Sequence, residues 1–275
     1  NWTSKGNRRI NGNGIMHIVI DSKTIVQELE RVKLRGKYFS SSGAKTEQIS
    51  DAVKVVVEGE DLFLYNGNPI CMCFIKIGGI TVIEEGEFDA QISTMLSHLK
   101  VFNGSINIEV GDKIVISNER TGKSALPLLL NHPHPAIIAR LQTFDKDTMV
   151  WNGDDETSYV IGKTNLPTTM NIFPTQFKRP VKGCDNINMG RYKFDFTMST
   201  SFSNLHIETA NGPTNYFQAD IDPSEACGDD ATVEFNGPFL TFFDEDIMTI
   251  RMGDDVPILF ASEDRALIKA PFIEG

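Results

Sequence analysis

The order in which strand and helix signals follow one another limits this 275-residue chain more than any single motif does. Residues 17–20 read as a short strand. Asp21-Ser22 then offers an N-cap, and Ile25, Val26, Leu29 and Val32 recur at helical spacing. After a Ser/Gly-rich loop at 39–49 come three alternating runs, 52–57, 62–65 and 70–77. Turns at Glu58-Gly59-Glu60-Asp61 and Asn66-Gly67-Asn68 separate them. Beyond Gly78-Gly79 a strand near 80–83 precedes a second amphipathic helix, spaced by Phe88, Ile92, Met95, Leu96 and Leu99. Strands at 106–110, 114–117 and 124–128 complete the block. A unit of strand, helix and three strands thus occurs twice, and an internal repeat is the leading expectation.

Residues 131–167 interrupt that order. They open on His132-Pro133-His134-Pro135, allow a short helix at 136–144 and turn polar at 152–156, as a long connector would. The order then resumes with a strand at 170–173, a basic helix at 175–184, and strands at 192–198, 205–210 and 215–221. A strand at 232–235, a short helix at 238–243 and three closing strands at 248–252, 256–261 and 265–272 follow. Pro180 removes a hydrogen bond from the third helix, which predicts that it is short or kinked. The last strand is expected to be an edge, ending at Ala270-Pro271-Phe272. The expected division is a leader over 1–15 (disordered, or an appended remnant ahead of Met16), a domain over 16–128, a connector over 129–168, and a domain over 169–275. The fold class is α+β, with antiparallel sheets.

The charge balance of −11 is unevenly spread. From Gln218 onward there are 14 acids and 3 bases, so that segment alone carries the whole deficit. Residues 22–37 instead hold five bases against two acids, and residues 175–182 hold three against none. An acidic body with short basic helices suits non-specific phosphate contact, which needs charge and reach but no base reading. Apart from Phe177, the basic helices lack aromatic residues for stacking, which argues against single-strand recognition. No apolar run approaches the ~20 residues that a membrane span requires, and an intracellular protein is expected. The four cysteines, Cys71, Cys73, Cys184 and Cys227, lack metal spacing and read as reduced, with Cys71 and Cys73 on one face of a strand.

Other motifs have blander readings. Thr121-Gly122-Lys123-Ser124 resembles the end of a phosphate-binding loop, but the Gly required five residues earlier is Ser117 and a strand follows, so a hairpin turn fits better. His132 and His134 sit between prolines without a carboxylate or cysteine cluster beside them. Asp154-Asp155-Glu156, Asp229-Asp230 and Asp244-Glu245-Asp246 lie between elements, where acids usually face solvent. No nucleophile elbow, Cys/His frame or dinucleotide fingerprint is present. No catalytic residue, metal or cofactor is expected, and a binding protein is favoured over an enzyme.

The closing third carries a resemblance. Val233-Glu234-Phe235, Phe239-Leu240-Thr241-Phe242-Phe243, the run 248–252, Asp255-Val256-Pro257-Ile258-Leu259 and Ala270-Pro271-Phe272-Ile273-Glu274 resemble, in that order, the end of a DNA polymerase sliding clamp of the proliferating-cell-nuclear-antigen type. Residues 88–102, 105–110, 113–117 and 124–128 are similar to the second helix and last strands of a clamp domain. The connector is longer, and the last helix shorter, than the family pattern.

The resemblance implies two domains of two strand-helix-three-strand units each. Three chains would close a six-domain ring around duplex DNA, with sheets outside and helices lining the channel. It implies that Lys23, Arg31, Lys33, Arg35, Lys100, Lys178, Arg179 and Lys182 face phosphates. It also implies that a polymerase and a clamp loader dock through short apolar peptides. Leu128, Leu129, Leu130, Pro257 and Ile258 would form the pocket wall, and Ala270, Pro271 and Phe272 the receiving edge. Two competing readings differ in class. A β-rich capsid or tail component would need no basic helices, and an enzyme built on an acidic cluster would need carboxylates converging on a metal.

Overall fold

All strand pairing in the described residues is antiparallel. The computed structural model describes residues 16–33, 37–39, 45–47, 51–143, 159–161, 164–244 and 246–272. The expected leader at 1–15 lies outside them, as does most of the 39–49 loop. The first unit is β1 (Met16–Asp21), α1 (Ser22–Val32), a small hairpin of β2 (Lys37–Phe39) and β3 (Lys45–Glu47), then β4 (Ala52–Glu58), β5 (Asp61–Asn68) and β6 (Cys71–Ile77). β7 (Thr81–Glu84) is an additional strand. The second unit is β8 (Gly86–Gln91), α2 (Ile92–Leu99), β9 (Ser105–Val110), β10 (Ile114–Asn118) and β11 (Gly122–Leu126). The connector holds α3 (Pro135–Leu141) and a hairpin of β12 (Tyr159–Ile161) and β13 (Thr164–Leu166). The third unit is β14 (Thr168–Ile172), α4 (Pro174–Ile187), β15 (Arg191–Met198), β16 (Ser203–Ala210) and β17 (Tyr216–Ile221), followed by β18 (Glu225–Cys227). The fourth is β19 (Ala231–Asn236), a 3₁₀ turn at Leu240–Phe242, β20 (Met248–Met252), β21 (Ile258–Ser262) and β22 (Arg265–Lys269).

Units pair by exchanging their first strands. β1 lies beside β9 of the second unit, and β8 lies beside β4 of the first. The second half repeats this, with β14 beside β20 and β19 beside β15. Neither unit of a pair can therefore complete its sheet alone. The halves join where β6 pairs β22, from Cys71↔Lys269 to Ile75↔Arg265, making one nine-stranded sheet. β22 is thus an interior strand rather than the expected edge, which explains why all five of its residues are buried.

That central sheet is covered on both faces, so its strands are apolar without strict alternation. On one face Leu62, Leu64, Cys71, Cys73 and Ile75 join the main core with α1. On the other Phe63, Tyr65, Phe74, Leu259 and Ile268 pack beneath Ile138 and Leu141 of α3. In the fourth unit no full helix fills the core. Phe239 and Phe242 stand in for one, and Phe239 meets Phe177 of α4 and Phe260 of β21 at ring distances of 5.3 and 4.9 Å.

Three local expectations need correction. Phe88 belongs to β8 and not to α2, whose start is set from a distance because Asp51 Oδ1 accepts from the Ser93 N–H at 3.0 Å. Asn66-Gly67-Asn68 continues β5, and the turn comes later, where Asn68 Oδ1 accepts from the N–H groups of Ile70 and Cys71. α4 runs 14 residues through Pro180, so it is not short: losing one N–H does not end the helix, and Pro180 lies with Phe177 and Cys184 on the buried face.

Candidate functional site

α1, α2, the 3₁₀ turn and α4 form one connected layer on the main-core side, away from α3. α1 touches α2 and the 3₁₀ turn, and that turn touches α4. α1 is well specified, since Asp21 accepts from the N–H groups of Lys23 and Thr24 while Ile25, Leu29 and Val32 are buried. The other face of the layer carries the cations expected to meet phosphate, and the structure sorts them. Lys23 is exposed on α1, and Lys178, Arg179 and Lys182 are exposed together on α4, opposite its buried stripe. Lys100 is exposed but bonds Glu30 at 2.6 Å. Arg31 bonds Glu28 at 2.9 Å and Asp244 Oδ2 at 2.9 Å. Lys33 is buried, 2.6 Å from Ser93 Oγ and 3.5 Å from Asp51, so its charge is spent inside the fold. Arg35 lies outside the described residues. The cationic face thus rests chiefly on α4.

Beneath the layer, the seam between the halves holds a buried ion cluster. Arg265 of β22 is 4% exposed and reaches Glu28 of α1 at 3.3 Å, Asp264 at 2.6 Å and Asp244 at 3.3 Å. Burial pushes the Glu28 carboxyl above its ordinary pKa despite both arginines. Burial works to raise Asp264 as well, but the Arg265 hydrogen bonds and charge outweigh it and hold that pKa low. Sequence reading missed this cluster because its members are far apart in the chain. A lone arginine in an otherwise apolar run was the available signal.

The residues expected to receive a peptide fall in separate places. Leu129 bridges Asp89 and lines a cleft of 390 Å³ with Asp51, Ala52, Asn68, Gln91, Pro133 and His134. Leu128 is half-buried, and Leu130 is 93% exposed. Ala270, Pro271 and Phe272 line another cleft, of 350 Å³, with Ile70 and Asn236. Pro257 is half-buried, whereas Ile258 is fully buried and packs in the main core, so its side chain is not available as a pocket wall. Ala270 and Phe272 spend their N–H groups on the carbonyls of Ile70 and Glu234, and Pro271 bridges Phe235. The receiving edge is therefore already donating to this chain's own strands.

The remaining candidates are structural. Cys71, Cys73 and Cys184 are buried and Cys227 is exposed. Burial raises the Cys71 and Cys73 thiols, and that of Cys184 to about 12, which leaves them unreactive. Thr121–Ser124 belongs to the β10–β11 hairpin. Among the described residues no group of three or more His, Cys, Asp or Glu is placed to hold a metal. No helix there is long and apolar enough to cross a membrane.

Exchanged first strands, a shared central sheet and one helical layer define the architecture of the DNA sliding clamps, and this chain has that fold. Solved structures match it along nearly its whole length. The DNA polymerase III beta subunit of Thermotoga maritima aligns with a TM-score of 0.67 at 10% identity, over 99% of this chain and 70% of that one. The proliferating cell nuclear antigen of A. fulgidus, bound to the C-terminal region of FEN-1, gives 0.64 at 15% identity over 94% and 99%. That of Entamoeba histolytica gives 0.62 at 11% over 95% and 100%. No protein-family model and no curated protein matches the sequence.

Proposed function

We propose that this chain is a non-enzymatic DNA sliding clamp, a ring of three copies that encircles duplex DNA and tethers replication proteins. One observation carries the reading. Each unit ends on an equivalent strand, β6, β11, β17 or β22, and within the chain β6 pairs β22 while β11 and β17 end their sheets. An antiparallel pairing between β11 of one copy and β17 of the next would repeat the β6–β22 junction. Such a head-to-tail contact closes into a ring when its rotation divides a full turn. The junction strands would then form a continuous outer wall, with the helical layer inside.

The two domains of this reading are residues 16–128 and 169–275, bridged by 129–168. Lys23, Lys100, Lys178, Arg179 and Lys182 would contact phosphates, with the acidic residues outside. Topological enclosure lets such contacts stay weak enough for sliding. Partner proteins would engage the connector side through short apolar peptides; a structure of similar fold, the proliferating cell nuclear antigen of A. fulgidus, holds a C-terminal region of FEN-1.

Two measurements test the proposal. Mass determination in solution at micromolar concentration should return three times the 30.6 kDa chain, and a strictly monomeric particle would sink the ring. Reversing Lys178, Arg179 and Lys182 to Glu should cut retention on circular DNA severalfold with an unchanged thermal melt. Undiminished retention would remove α4 from the channel.

A further inference from the structure

We infer that the sheet face beneath α3 is itself a peptide-binding groove, with α3 as its resident occupant, so that partner segments bind by displacing it. This rests on the reading that apolar peptides dock on the connector side. The face beneath α3, made by Phe63, Tyr65, Phe74, Leu259 and Ile268, forms a cluster apart from the main core. α3 meets it through Ile138 and Leu141, one helical turn apart and buried to 4% and 0% exposure. A short peptide with two aliphatic residues at that spacing presents the same surface.

Three features mark α3 as an occupant rather than an integral layer. It has seven residues and its N-cap His134 makes no side-chain capping bond, so it lacks the length and capping to hold in water unaided. The sheet leaves room for it at Gly67, the penultimate residue of β5 and still paired with Met72, where a Cβ would come within 2.8 Å of Ile137 Cγ2. A glycine paired within a strand is a mark of close approach by another segment. Finally, the Tyr65 hydroxyl is buried on this face without a hydrogen-bond partner among the described residues. The α3 residues clustered with it, Ile137, Ile138 and Leu141, are aliphatic, whereas a peptide bearing a polar group there would satisfy it.

The test uses the full chain and a fluorescent peptide copying residues 134–143. In the wild type the tethered α3 competes at high effective concentration, and the measured affinity falls by the fraction of open groove. Ile138→Asp with Leu141→Asp should undock α3 and tighten peptide binding at least about tenfold. Adding Gly67→Val should abolish that gain, since Ile137 of the peptide needs the same space. If the double Asp variant does not fold, Ile138→Ser with Leu141→Ser replaces it. A variant that melts like the wild type yet binds no more tightly overturns the inference, as does a failure of both pairs to fold, which would make α3 part of the core. Retention on circular DNA is measured on the same proteins. Its loss in the wild type would count against the clamp and leave the peptide result standing, and retention without a peptide gain would do the reverse.

Discussion

Arg265 ties the two halves together at the level of a single side chain. Its guanidinium bonds Asp264 from the turn just before β22, Glu28 from α1 and the Phe242 carbonyl, with almost no exposure to water. Of its acidic partners only Glu28 is buried, while Asp264 and Asp244 stay partly in water. Removing Arg265 therefore leaves one buried charge short of compensation, which costs about 3–5 kcal/mol at most. Arg31 remains beside Glu28, so Arg265→Ala should lose about 3 kcal/mol by urea denaturation. The deficit should also depend on pH. Glu28 has a folded pKa raised above 4.5, so its contribution to stability falls as pH rises through that window. Loss of Arg265 takes away its strongest attraction and widens the shift. Asp264 works the other way, contributing stability above 3.8 that is lost as pH falls through its depressed folded value. The variant should therefore lag the wild type most at neutral pH and less as pH falls through the raised Glu28 pKa. An equal deficit at pH 7.5 and 4.5 would show that the carboxylates are not the source.

Elements show why part of this molecule could be read in one dimension and part could not. α4 is the clearest case for a prediction, because Gly183 leaves space for the Phe217 ring of β17, whose atoms would lie 2.3 Å from an added Cβ. Gly183→Ala should force that ring, and with it the outer strand β17, to shift. Assembly should then weaken more than folding does, read by sedimentation beside a thermal melt, and Phe217→Leu in the same chain should restore part of it. A loss confined to the melt would mean that β17 takes no part in assembly. β1, α1, β4 and β9 were legible because burial follows their own periodicity, and α1 carries its cap in Asp21. β8 was not, since Phe88 fits helical spacing with Ile92 while the real start of α2 is fixed by Asp51, 42 residues away. Gly67 read as a turn because its meaning lies in Ile137, in another segment. The final strand read as an edge because pairing with β6 is a contact between halves that no local pattern records. The basic stretch on α4 was visible as charge, but the withdrawal of Lys33 into its bond with Ser93 depends on tertiary packing.

For the whole molecule, the decisive question is what meets the two outer strands β11 and β17. An unpaired edge is a template for pairing with another chain, and proteins that do not use such an edge usually blunt it. Here each edge carries an exposed charge of opposite sign, Lys123 on β11 and Asp220 on β17, beside exposed Ala125 and a Tyr216 that is 59% exposed. Because the internal β6–β22 junction already shows that such unit-ending strands can pair antiparallel, the same chemistry is available between copies. Placing Ala125→Asp and Tyr216→Asp in one chain would set like charges on both sides of each intermolecular contact. These surface positions should change folding stability by no more than about 0.5 kcal/mol. Assembly should fail, so that sedimentation returns a single-chain mass where the proposed ring would return three. Either substitution alone should weaken the proposed ring less than the pair, since only the pair adds negative charge to both edges. A double variant that kept the trimer would mean that the ring closes elsewhere, and the equivalence of β11 and β17 with β6 and β22 would lose its role in assembly.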